Sequence, residues 1–109
     1  MVHRKLLFIC SRNKLRSPTA EAIFAGRPGV EVDSAGLSPD AEVPLEAEQL
    51  EWADLILVME KAHRTRLNRS FGKFLTGKKV VVLDIPDDYD FMDAKLVSLL
   101  EARCARYLT

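Results

Sequence analysis

The chain has 109 residues, 48% of them apolar and 29% charged, which is enough for one modest core in a single globular domain spanning 1–109. Sixteen Lys and Arg balance sixteen Asp and Glu, so no net field argues for nucleic acid and no nucleic-acid partner is expected. Cys10 and Cys104 are too few for a disulfide framework, and the apolar stretch ending at Cys10 is too short for a signal-peptide core or a membrane span, so we expect a monomeric, cytoplasmic protein with no membrane association.

Four short runs read as strands. Lys5 to Ile9 is continuously apolar after its first residue. Ser17 then offers a helix cap with Pro18 at the first helical position; Ala20, Ile23 and Phe24 form an apolar stripe, and Gly26 ends it. Val30 to Asp33 alternates as a second strand, and a weak helical segment covers about Pro44 to Trp52. Asp54 to Met59 is a third strand, followed by a basic helix from Glu60 to about Arg69. Val80 to Ile85 is the fourth strand. The last helix, about Asp93 to Tyr107, puts Leu96, Leu99, Leu100 and Cys104 on one face. Unbroken apolar strands alternating with helices predict an α/β fold: a four-stranded parallel sheet with right-handed crossovers and helices on both faces, a three-layer αβα arrangement. Ligands of such sheets bind at the carboxyl ends of the strands. Cys10 and the acidic loop Pro86-Asp87-Asp88-Tyr89-Asp90 fall on that rim.

Between the first strand and the first helix stands Cys10-Ser11-Arg12-Asn13-Lys14-Leu15-Arg16-Ser17. A lone cysteine after a strand is ordinarily core, but Arg-Ser six residues on, at a strand-to-helix turn, suits a phosphate cradle. Backbone N–H groups and the helix's positive end bind an oxyanion and favour a thiolate. The planar fork of Arg16 can hold two phosphoryl oxygens, the thiolate can attack phosphorus in line, and the Ser17 hydroxyl can steady the sulfur. With Arg16 and the loop amides taking the charge, no metal or other cofactor is expected, and no Cys or His spacing fits a metal site. Protonation of a leaving oxygen needs an acid. His3 precedes the first strand and His63 lies among Lys61, Arg64 and Arg66 on a helix face that reads as solvated, so neither is expected to act. Carboxylates remain, with Asp87 and Asp88 both open as the acid.

These residues resemble the signature of the low-molecular-weight protein tyrosine phosphatases in Cys10, Asn13, Arg16 and Ser17. The likeness continues in Pro18, Ala20 and Glu21, in Asp33-Ser34-Ala35-Gly36, in Asp54-Leu55-Ile56-Leu57-Val58-Met59, and in Ile85-Pro86-Asp87-Asp88-Tyr89. The resemblance implies that Cys10 is the nucleophile, Arg16 the phosphate clamp, and Asp87 the general acid and then base, with Asp88 beside it. Ser11, Arg12, Asn13, Lys14 and Leu15 would form the phosphate loop, with Ser34 the hydrogen-bond partner of Asn13 and Tyr89 at the substrate's ring. The partner would be a phosphorylated protein or a small phosphomonoester.

Three departures from the family pattern matter. Arg12 replaces a loop glycine, which implies backbone strain or an added cation at the mouth. Leu15 replaces a second loop cysteine, which implies easier overoxidation of Cys10. The stretch between Gly36 and Asp54 is short, and Leu37 to Glu51 holds no aromatic residue to wall a phosphotyrosine ring. Two other activities share features of this loop. Arsenate reductases need relay cysteines, for which Cys104 on an apolar face is poorly placed. A binding module without turnover would result if Arg12 spoiled the loop. The loop is also similar to that of phosphatases acting on phosphoserine of the RNA polymerase tail.

Overall fold

The computed structural model describes residues 4–108. His3 lies outside them. Four strands, β1 (Arg4–Cys10), β2 (Val30–Gly36), β3 (Leu55–Val58) and β4 (Lys79–Val82), form one sheet in the order β2-β1-β3-β4 with every pairing parallel. Four helices, α1 (Arg16–Phe24), α2 (Ala47–Trp52), α3 (Lys61–Phe71) and α4 (Ala94–Cys104), alternate with them. The expected α/β architecture is what forms.

Side-chain alternation along β1 divides the interior. Leu6, Phe8 and Cys10 face one cluster with Ala20 and Phe24 of α1 and Leu96, Leu100 and Cys104 of α4. Leu7 and Ile9 face the other, with Leu50 of α2 and Leu67 of α3. A strand covered on both faces must be apolar throughout, which is why β1 and β3 carry no polar alternation. Cys104 is core packing, and burial raises its thiol pKa to about 12.

Among the element ends that differ from expectation, three have a clear local reason. α1 begins at Arg16 with Leu15 at its N-cap and no side-chain cap bond, so Ser17 does not cap it. Its hydroxyl is turned to Cys10 instead. α2 begins three residues later than expected, because Gly36 pairs with Pro44, and Leu45 N–H donates to Gly36 O at 2.9 Å. Extended backbone there delays the helix. β4 ends at Val82, since Asp84 adopts φ +55, yet Leu83 N and Ile85 N still donate to Val58 O and Met59 O at 2.9 and 2.8 Å. The pairing therefore carries the chain to Pro86 and the acidic loop on the carboxyl rim.

Candidate active site

The strand order reverses its winding at β1. The chain moves from β1 to β2 on one side and returns to β3 on the other, and the crevice at such a reversal is where doubly wound sheets bind ligands. Cys10 ends β1 and Glu60 follows β3, so these two flank that crevice.

The loop from Ser11 to Leu15 is fixed from both sides. On the outside, the segment after β2 holds its carbonyls: Leu37, Ser38 and Glu42 N–H donate to Cys10, Ser11 and Arg12 O at 3.0, 2.8 and 3.1 Å. On the inside, Asn13 adopts φ +53, tolerated by asparagine, and its N–H donates to Cys10 Sγ at 3.2 Å. Its side-chain Nδ2 donates to Ser17 Oγ at 3.0 Å and to Ser34 Oγ at 2.9 Å, and Ser34 donates in turn to Glu21 Oε1 at 2.5 Å. Ser17 Oγ lies 2.8 Å from Cys10 Sγ. Because that oxygen accepts from Asn13, its own hydrogen is available to the sulfur. The residue in the left-handed region is Asn13, and Arg12 is not there, so the strain expected of Arg12 is absent.

Arg16 is 4% exposed, with Nη1 donating to Glu60 Oε2 at 2.6 Å and to Ile85 O at 2.7 Å. Its Nε lies 3.7 Å from Asp87 Oδ1. One guanidinium thus ties the ends of three neighbouring segments. Above it opens a cavity of about 140 Å³ lined by Cys10, Ser11, Arg12, Lys14, Leu15, Arg16 and Asp87. Of the two adjacent acids, Asp87 lines this cavity. Asp88 is exposed outside that lining. Tyr89 does not reach the cavity as expected. Its ring packs on the α1/α4 core and borders Lys95, Ser98 and Leu99 of α4. Trp52 is half-buried against the other core.

His63 corrects the sequence reading. It is 3% exposed rather than solvated, and Arg66 turns inward beside it. Glu60 N–H donates to His63 Nδ1 at 3.1 Å, so the neutral ring carries its proton on Nε2, which faces Ser11 Oγ at 3.3 Å. Arg66 Nη1 donates to the same oxygen at 3.3 Å. Burial first, then the Arg16 charge, lower the His63 pKa to about 4, against an opposing pull from Glu60, so the ring is neutral at physiological pH. Glu60 was not among the expected site residues, and His63 and Arg66 were expected on a solvated face. The strand-reversal rule pointed to Glu60 at the end of β3. His63 and Arg66 gave no signal beyond their spacing of three on a helix beginning there.

The geometry defines a doubly wound α/β protein with a cysteine loop at its reversal point, closed by a buried arginine. Residues 5–48 match the family model described as low molecular weight phosphotyrosine protein phosphatase. The chain is 32% identical to the protein-arginine-phosphatase of Bacillus subtilis (strain 168), over 63% of this chain and 64% of that one, so it spans under two thirds of that relative's length. It also resembles the solved tyrosine phosphatase AmsI of Erwinia amylovora, at 26% identity and TM-score 0.73, with 98% of this chain and 91% of that one covered. The tyrosine phosphatase Wzb of Escherichia coli K30, solved with phosphate, shares the fold at 23% identity and TM-score 0.78 over 98% and 97% of the two chains. Over residues 5–48 the chain is thus similar to the low molecular weight phosphotyrosine protein phosphatases, and its fold is shared by the solved members named here.

Proposed function

We propose that residues 1–109 act as one domain, a cysteine-dependent phosphomonoesterase working on aryl phosphates of the protein phosphotyrosine type. The observation that carries this reading is the cavity in which Cys10, Arg16 and Asp87 meet, with Asn13 N–H and Ser17 Oγ on the sulfur. The Cys10 thiolate attacks phosphorus as the ester oxygen leaves, forming an S–P bond and breaking the O–P bond. Asp87 donates its proton to the leaving oxygen. As carboxylate it then takes a proton from water, whose oxygen attacks phosphorus and releases Cys10 with the Ser17 hydroxyl steadying the sulfur. Arg16 and the loop amides hold the phosphoryl oxygens, whose charge is spread in a loose transition state.

The rival readings have little support. Arg12 leaves the loop backbone unstrained, which removes the reason to expect a binding module without turnover. Cys104 is fully buried with its thiol pKa raised, a poor relay for arsenate reduction. A working Cys10 must stay a free thiol, which suits a reducing compartment such as the cytoplasm. No helix among the described residues is long and apolar enough to cross a membrane.

Hydrolysis of 4-nitrophenyl phosphate by the reduced protein tests the reading. We expect turnover from mildly acidic to neutral pH and its loss, by about 10³-fold or more, in Cys10→Ser. Absence of turnover in the wild-type protein, or its persistence in Cys10→Ser, overturns the assignment.

A further inference from the structure

The cavity holds more positive charge than a single phosphoryl group uses. Arg16 is already divided among Glu60, Ile85 O and the approach of Asp87. Arg12 and Lys14 line the same cavity with exposed side chains, and among the described residues neither has an ion pair or a side-chain hydrogen bond. The backbone at Arg12 is not free to drift, because Ser11 O and Arg12 O are pinned from outside by Ser38 and Glu42. The two cations therefore stand at the mouth of the phosphate loop in a protein of zero net charge.

The lining contains no aromatic ring. Tyr89 is turned to α4, and the apolar contribution is Leu15. Recognition of the leaving group by stacking has no surface here, whereas recognition by charge does. A cationic guanidinium leaving group, the kind named for the Bacillus relative, would meet Arg12 and Lys14 with like charge. Like charge in a concave site is unfavourable, and opposite charge both tightens binding and steers approach.

We propose that Arg12 and Lys14 form a subsite for a second negative group on the substrate, so that the preferred phosphomonoester carries a carboxylate or another phosphate close to the scissile phosphoryl. This rests on the phosphatase reading above and names the substrate class it acts on. Both a small phosphorylated acid and a phosphopeptide with acidic neighbours supply that chemistry.

The test compares kcat/KM for phenyl phosphate with that for 3-carboxyphenyl phosphate, which differ by one carboxylate. We expect the wild-type protein to favour the carboxylated ester by about ten-fold at low ionic strength, equivalent to about 1.4 kcal/mol. The preference should shrink as salt is raised and vanish in the Arg12→Ala/Lys14→Ala variant. The ratio is the readout, because general damage to the loop lowers both substrates alike. A wild-type ratio near one, or a ratio that survives in the double variant, overturns the proposal. Phosphotyrosine peptides flanked by Asp or by Lys separate the two sources: a gain for acidic flanks as large as that of the small ester assigns the subsite to protein substrates, and a gain confined to the small ester assigns it to metabolites. If the wild-type protein hydrolyses none of these, the phosphatase reading fails. Calorimetric affinities for phenylphosphonate and 3-carboxyphenylphosphonate then decide the subsite, with equal affinities overturning it.

Discussion

Ser11 Oγ receives hydrogens from His63 Nε2 and Arg66 Nη1, each at 3.3 Å, so its own hydrogen must point elsewhere. Ser11 also lines the cavity, which makes the direction of that hydrogen relevant to a bound anion. His63 controls it through its tautomer: Glu60 N–H occupies Nδ1 and places the ring proton on Nε2. A glutamine reaches about as far with its amide nitrogen as histidine does with Nε2, so His63→Gln should keep the donor to Ser11. His63→Phe fills the space without it. We expect His63→Phe to lower kcat/KM for 4-nitrophenyl phosphate by about ten-fold, the size of one lost hydrogen bond to a charged state, and His63→Gln to recover most of it. Equal losses in both variants, with unchanged melting temperatures, would remove this role from the Nε2 donor.

At the scale of elements, the cysteine loop depends on the end of β2 as much as on its own residues. A Cβ on Gly36 would lie 2.6 Å from Ala41 Cβ, 2.7 Å from Ser11 O and 2.9 Å from Arg12 C. Two of those three neighbours are backbone and cannot give way cheaply, so the glycine is there for close approach and not for a left-handed turn. Gly36→Ala should cost about 2 kcal/mol of stability and reduce the proposed phosphatase activity together, since the displaced atoms belong to the loop. Denaturant midpoints and initial rates on the same samples check this, and an unchanged midpoint would mean that the segment from 37 to 42 yields freely. β1 and β3 were legible because burial on both faces leaves an unbroken apolar run. The start of α1 was not, because a serine before Pro18 satisfies the capping pattern while its hydroxyl is engaged by a sulfur seven residues back. The end of β4 was misjudged because apolar composition continues to Ile85 past the bend at Asp84, where pairing survives and extended geometry does not.

Over the whole molecule, the site is a seam where the ends of β1, β3 and β4 meet. The residues that close it are far apart in sequence: Arg16 with Glu60 and Ile85, Ser11 with His63. The Cys10 loop could be read because its parts are contiguous. The inward packing of His63 and Arg66 could not, since nothing local separates a helix face that is solvated from one packed over a neighbouring loop. That packing makes His63 a structural group with a measurable pH dependence. It faces Arg16 and Arg66, which disfavour its charge, and Glu60 and Asp87, which favour it, while burial outweighs them all and sets the pKa near 4 against 6.5 in the unfolded chain. Above pH 6.5 the ring is neutral in both states and costs nothing. Between pH 6.5 and 4 the unfolded chain binds a proton that the folded protein refuses, so stability falls as pH falls. The full loss, reached below pH 4, is about 3 kcal/mol, a considerable part of the 5–15 kcal/mol typical of a domain. Carboxylates begin to titrate in the same range, so the useful quantity is the difference between wild type and His63→Gln, whose amide does not titrate. Urea unfolding at pH 7 and pH 4 should show the variant gaining on the wild type by roughly that amount, and parallel stability curves would mean that His63 takes its proton as readily folded as unfolded.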